Sequence, residues 1–126
     1  MSKIIWIDRE IYNEEKLGYV KELEELGYKK LRFEKVTDAF DYMKSILFDE
    51  TKIICSGRLF NEFINTFKAN IIDICFIPKI IIFAGNEERF LGYDQDYQKI
   101  ENKFYSFLGI ATMIDEVKDF LKKKII

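Results

Sequence analysis

The sequence predicts a three-layer, doubly wound α/β domain built on a five-stranded parallel sheet. Short apolar runs typical of buried strands alternate five times with longer segments whose apolar residues recur at helical spacing. This alternation favours parallel strands joined by right-handed crossovers, with helices on both faces of the sheet. The 126 residues and 48% hydrophobic content suit one domain, residues 1–126. We expect a piece of a longer protein, because the last apolar pattern stops without a cap.

The strand predictions follow the apolar runs in chain order. The fourth run begins beside Pro78, the only proline, at a strand entrance where a missing N–H is tolerated. The predicted strands are Lys3–Ile7, Leu31–Val36, Lys52–Cys55, Ile77–Gly85 and Gly109–Ile114.

The helix predictions rest on apolar spacing and on end signals. Asn13 caps the first helix, Gly27 stops it, and Thr37 or Asp38 caps the second. Asp115 caps the last helix. The predicted apolar stripes are Leu17, Val20, Leu23 and Leu26; Phe40, Met43, Ile46 and Leu47; Phe60, Phe63, Ile64 and Phe67; Tyr93, Tyr97, Ile100 and Phe104 within residues 87–107; and Val117, Phe120 and Leu121.

Composition excludes several classes of function. The chain has no histidine, which removes Ser–His and Cys–His nucleophile pairs and every zinc site that needs His. A net charge of −2 argues against nucleic-acid binding, and no apolar run is long enough to cross a membrane. Cys55 and Cys75 lie in apolar runs without metal-ligand spacing. We therefore expect a reduced cytoplasmic protein without a cofactor or metal.

In a doubly wound sheet, functional sites lie at the carboxyl ends of the strands. Asp8 and Glu10 have three interpretations there: solvated acids that favour the following helix dipole, partners of Arg9 or Arg58 in an ion pair, or a weak cation site. Ser56 is either a helix cap or part of a small anion cradle. No glycine-rich nucleotide loop is present. The predicted strand-end pocket comprises Asp8, Arg9, Glu10, Ser56, Gly57, Arg58, Gly85 and Asn86.

The opening KIIWIDRE and the five β/α units resemble the receiver domain of two-component response regulators. The resemblance implies a flavodoxin-like topology with strand order 2-1-3-4-5. It also implies a site where acids after the first strand hold Mg²⁺ and an aspartate after the third accepts a phosphoryl group. Asp8 matches the first of those acids, and Glu10 matches a third acid often found there.

The remaining positions of the receiver pattern depart from it. Arg9 stands where the second metal-binding acid is expected, Ser56 replaces the phosphoacceptor, and Phe83 replaces the switch hydroxyl. The stretch ATMIDE after the fifth strand lacks the lysine that neutralises the phosphoryl group. The resemblance thus implies a pseudo-receiver, although unconventional phosphate acceptance stays open.

A second resemblance links AFDYMKSILFDETKIICSGRLFNEFI to TIR domains, from their second helix into their third. It implies either TIR-like signalling or cleavage of NAD with Glu62 as the catalytic glutamate. Glu62 is closer to Ser56 than is usual in that family, and the family's tryptophan–cysteine pair is absent.

Aromatic residues are in excess near the end of the chain. One helix face cannot bury all of FYSFLG together with Tyr93 and Tyr97, so some of these side chains are expected on an exposed surface. The predicted interaction face comprises Tyr97, Phe104, Tyr105 and Phe107. The resulting hypothesis is a non-catalytic interaction, signalling or assembly module that binds a protein partner or a second copy, without nucleic acid or membrane.

Overall fold

The computed structural model describes residues 3–45, 51–70, 79–84 and 106–122. In this part of the chain five strands form one sheet: β1 (Lys3–Ile7), β2 (Lys29–Phe33), β3 (Lys52–Ser56), β4 (Lys79–Phe83) and β5 (Ser106–Ala111). The spatial order is β2-β1-β3-β4-β5, and every neighbouring pair is parallel. The predicted α/β fold with strand order 2-1-3-4-5 is therefore confirmed.

Four α-helices lie in the described ranges: α1 (Glu14–Glu25), α2 (Val36–Met43), α3 (Phe60–Ala69) and α4 (Ile114–Lys122). A short 3-10 turn, Gly57–Leu59, connects β3 to α3. The predicted ends of α1 are confirmed, because the Asn13 side chain accepts a hydrogen bond from the Lys16 backbone N–H and Gly27 follows the helix with φ +94°.

The central strands are apolar on both sides, and each side supports its own core. The α2/α3 face packs Ile5, Ile7, Ile53, Cys55, Ile80 and Ile82 against Phe40, Met43, Phe60, Phe63, Ile64 and Phe67. The opposite α1/α4 face packs Ile4, Trp6, Ile54, Ile81, Phe83 and Ala111 against Val20, Leu23, Val117 and Leu121. Helices thus cover both faces, which gives the predicted three layers.

Several predicted boundaries in the first half of the chain are wrong. The predicted strand Leu31–Val36 extends too far, since Val36 is the first residue of α2. Period-two alternation from Leu31 and Phe33 would place the next side chain of that face at residue 35 and not at Val36. Lys35 holds the N-cap position without a side-chain hydrogen bond, so neither Thr37 nor Asp38 is the cap. In α1, Leu17 and the C-cap residue Leu26 are exposed. Residues spaced by three drift about 60° around a helix at each step, so the outer two leave the buried stripe.

The fifth strand and the last helix also differ from prediction. Ser106 and Phe107 belong to β5, whereas the sequence placed Phe107 in a helix; aromatic residues suit either element. The strand ends at Ala111, and Ile114 begins α4, so Asp115 lies in the first helical turn. β5 extends to the N-terminal side of Gly109 through a bulge in its pairing with β4. Phe107 pairs with Ile80 and Gly109 with Ile81, so β5 has one extra residue between these two pairs. Predictions for residues 46–47, 77–78, 85 and 87–105 lie outside the described residues.

Candidate functional site at the carboxyl ends of the strands

The buried Asp8 side chain directly follows β1 and is held from two sides. Its Oδ1 accepts a hydrogen bond from the Glu10 backbone N–H at 2.9 Å. Its Oδ2 lies 3.2 Å from the Lys16 ammonium nitrogen, which is ion-pair distance, although no described donor is aligned with this oxygen as a hydrogen bond. A cation of the chain itself therefore neutralises this carboxylate.

The Lys16 ammonium group also contacts the aromatic ring of Phe83. Its nitrogen lies 4.6 Å from the ring centroid, within the range of a cation–π interaction. The same ring packs against Trp6 and Tyr19, with centroid separations of 5.6 and 5.8 Å. Lys16 is thereby fixed between a carboxylate and an aromatic wall.

Ser56 lies beside these residues because of the strand register. Ser56 pairs with Phe83, and Ile7 pairs with Cys55, which places Asp8 next to Ser56 one residue further along. The Ser56 hydroxyl oxygen is buried and has no hydrogen-bond partner among the described residues. We call Asp8, Lys16, Ser56 and Phe83 the strand-end cluster.

The predicted cap role of Ser56 is only partly right. Ser56 occupies the N-cap position of the 3-10 turn in extended conformation, but its side chain makes no capping hydrogen bond. No described group contacts the hydroxyl as a base that would activate it as a nucleophile. The structure therefore shows a buried hydroxyl at the end of β3 that no described group activates.

The charged residues around the cluster face solvent. Arg9 is exposed, and Glu10 and Arg58 form an exposed pair with 3.8 Å between Oε1 and Nη1. Asp8 thus pairs with Lys16 and not with an arginine. Gly57 is half-buried in the 3-10 turn, while Gly85 and Asn86 lie outside the described residues.

The donor set around Asp8 does not fit Mg²⁺, the ion that the receiver resemblance implies. Mg²⁺ requires octahedral coordination by hard oxygens. Within the described ranges no three His, Cys, Asp or Glu residues converge, and the free oxygen of Asp8 faces an ammonium group. We therefore derive no metal-dependent step at this edge.

The end of β5 differs from the receiver pattern as well. The Thr112 backbone N–H and hydroxyl both donate hydrogen bonds to Glu116 Oε1, at 3.1 and 2.8 Å. These hydrogen bonds lower the pKa of the Glu116 carboxyl. Met113 beside them is exposed. The ammonium group at this edge therefore comes from α1 instead of from the residues after β5.

Two other candidate residues do not join the strand-end cluster. Cys55 is buried on the α2/α3 face, and burial raises the pKa of its thiol far above the ordinary value, which keeps the sulfur protonated. Glu62, the candidate from the TIR resemblance, is exposed in the first turn of α3. An exposed carboxylate of this kind is well solvated.

The predicted aromatic interaction face is described at one position only. Phe107 lies in β5 and pairs with Ile80. Tyr97, Phe104 and Tyr105 lie outside the described residues.

Lys16 is the residue at this site that sequence reasoning missed. One signal was available, because a cation in the first turn of a helix is electrostatically unfavourable. Glu14 and Glu15 beside it follow the usual preference. A lysine placed against that preference indicates a partner elsewhere, which here is Asp8.

Comparison with known proteins adds no relative. No family model matches the chain, and searches of curated proteins and of solved structures found no significant match. Among the described helices, none combines the length and the apolar character needed to cross a membrane.

Proposed function

We propose that this domain is a pseudo-receiver that acts by binding a protein, within a signalling or assembly system, without being phosphorylated. The observation that carries the proposal is the ion pair between Lys16 and Asp8. In the receiver pattern the matching acid holds Mg²⁺, whereas here its charge is already balanced by an internal ammonium group.

The neighbouring strand ends support the same proposal. A phosphoryl group on Ser56 would require an activated hydroxyl, and the buried oxygen has no described partner to serve as a base. Phe83 packs between Trp6 and Tyr19 where the receiver pattern has a switch hydroxyl. This arrangement favours binding through a rigid surface whose shape does not change.

Phosphorylation by a small-molecule donor tests the proposal. The chain is incubated with acetyl phosphate and Mg²⁺, and its intact mass is measured beside a receiver domain with an aspartate phosphoacceptor as the positive control. We expect the control to gain one phosphoryl group and this chain to keep its mass. A phosphorylated product of this chain would overturn the proposal, and its loss in Ser56→Ala would assign the phosphoryl group to Ser56.

A further inference from the structure

The outer edge of β2 presents backbone groups that no described strand uses. β2 pairs with β1 on one side, and the Phe33 carbonyl accepts a hydrogen bond from the Asp8 N–H at 3.0 Å. Backbone groups of successive strand residues point alternately to the two sides of the strand. The N–H and C=O groups of Lys30 and Arg32 therefore point away from β1, toward the edge.

The side chains of β2 divide between the two faces of the sheet. Leu31 and Phe33 are half-buried and pack on the α2/α3 core. Lys30 and Arg32 lie on the opposite face, where Lys30 forms an ion pair with Glu24. One side of the edge thus carries Leu31 and Phe33, with exposed Lys29 at its start, and the other carries Arg32 beside the Lys30–Glu24 ion pair.

Arg32 is held in place by an aromatic ring. Its guanidinium carbon lies 5.1 Å from the ring centroid of Tyr12, whose side chain is 53% exposed. Among the described residues Arg32 has no carboxylate partner. Exposed Lys29 lies on the other face, with Leu31 and Phe33. Exposed tyrosine and arginine are the residue types that most often anchor protein interfaces.

The charge of Arg32 lies close enough to Lys30 to disfavour the protonated form of that lysine. Burial, and secondarily the charge of Arg32, lower the pKa of Lys30. Lys30 already has Glu24 as its carboxylate partner, so a carboxylate brought to this edge would pair with Arg32, whereas a second copy of β2 would bring a second Arg32 and a second Lys29. Electrostatic complementarity therefore disfavours self-pairing and favours an acidic partner.

The opposite edge of the sheet is less suited to pairing. β5 carries a bulge, and Gly109 within it has φ +149°. Bulges and irregular backbone are common devices that prevent an edge from accepting another strand. β2 has a regular register with β1 over all five of its residues.

We propose that the outer edge of β2 binds an extended peptide segment in which acidic and apolar residues alternate. The peptide backbone would hydrogen-bond to Lys30 and Arg32, its carboxylates would face their side chains, and its apolar residues would extend the surface of Leu31 and Phe33. This inference rests on the proposed function, since it names the partner chemistry of that interaction module.

Peptide binding with edge-specific variants tests the inference. The probe is a short, blocked, fluorescent peptide that alternates Glu and Val, and fluorescence anisotropy measures its affinity for the full chain. A peptide that alternates Lys and Val is the charge control. We expect saturable binding of the Glu peptide and an affinity at least about tenfold lower for the Lys peptide.

Two matched variants separate backbone from side-chain recognition. Lys30→Ala keeps the outward N–H, whereas Lys30→Pro removes it, and proline is tolerated where a strand N–H faces outward. We expect Lys30→Pro to bind more weakly than Lys30→Ala. Arg32→Glu should weaken binding about tenfold, while Lys68→Glu, at an exposed position of α3, leaves it unchanged.

Three outcomes of the binding measurements would overturn the inference: no saturable binding of the Glu peptide, equal binding of the Lys peptide, or equal affinities of Lys30→Ala and Lys30→Pro in folded protein. Sedimentation tests the remaining occupant, because self-association abolished by Lys30→Pro would assign the edge to a second copy. None of these outcomes concerns phosphorylation. Failure here would therefore leave the proposed function standing, and an added phosphoryl group would remove that function whatever the peptide does.

Discussion

Lys16 and Asp8 form an ion pair that joins the first turn of α1 to the carboxyl end of β1, with 3.2 Å between the ammonium nitrogen and Oδ2. The two side chains are only 13% and 6% exposed. A charge in such a position is costly unless its counter-charge is present. The pair therefore stabilises the junction between β1 and α1, and it neutralises the Asp8 carboxylate at the strand ends.

Replacing Lys16 by Met is expected to lower the free energy of unfolding by about 3 kcal/mol, because Asp8 would remain as a buried carboxylate without a cation. Methionine preserves most of the aliphatic length that packs near Phe83. Urea denaturation followed by circular dichroism measures the change.

A matched control for this prediction is the exposed pair of Arg58 and Glu10. Arg58→Met removes an ion pair whose side chains are 78% and 60% exposed, and we expect a loss of less than about 0.5 kcal/mol. Asp8→Asn combined with Lys16→Met should cost less than the sum of the single changes. Equal losses for Lys16→Met and Arg58→Met would contradict the assignment of a buried pair.

Ser56→Ala is expected to leave stability unchanged or to raise it by up to about 1 kcal/mol, because it removes a buried hydroxyl that has no described partner. The control is Ser45→Ala, whose hydroxyl donates a hydrogen bond of 2.6 Å to the Tyr42 carbonyl and should cost about 0.5 kcal/mol. A larger loss of stability for Ser56→Ala than for Ser45→Ala would contradict this prediction, because it would show that the Ser56 hydroxyl has a hydrogen-bond partner.

The parallel α/β class was predictable from sequence because apolar runs and helical spacing alternate without interruption, whereas the strand order 2-1-3-4-5 was an implication of the receiver resemblance. The boundaries of β1 were predictable because an uninterrupted apolar run ends just before Asp8. The ends of α1 were predictable because Asn13 and Gly27 affect only the backbone close to them in sequence. Such signals involve residues near in sequence and need no tertiary information.

The composition of the strand-end cluster was predictable except for Lys16. Asp8 and Ser56 are placed by the rule that sites follow parallel strands. Lys16 reaches Asp8 from a helix, and no spacing rule fixes where a long flexible side chain ends. The predicted extent of β5 was wrong for a related reason: the bulge beside Gly109 depends on pairing with β4, which is distant in sequence.

Gly109→Ala is expected to destabilise the fold by about 2 kcal/mol or more, since a side chain at φ +149° is strained and an added Cβ would lie 2.4 Å from the Phe120 ring. Gly18→Ala is the control. Nothing lies within 4 Å of its added Cβ, and alanine in a helix should stabilise by about 0.5–1 kcal/mol. Thermal unfolding of both variants checks the pair, and equal melting temperatures would contradict the close packing of Phe120 on β5.

Glu116→Gln is expected to destabilise the domain at neutral pH and to have no effect in acid. The two Thr112 hydrogen bonds lower the pKa of Glu116 in the folded state, so its charged form contributes stability above the unfolded pKa of about 4.5. That contribution is lost as the pH falls through the lower, folded value, where the carboxyl is protonated and resembles glutamine. Denaturation of both proteins from neutral pH into acid measures the difference. In a Thr112→Val background, which lacks the hydroxyl donor, the pH-dependent part should shrink. Parallel stability curves across this range would show that Thr112 does not hold the Glu116 carboxylate in solution.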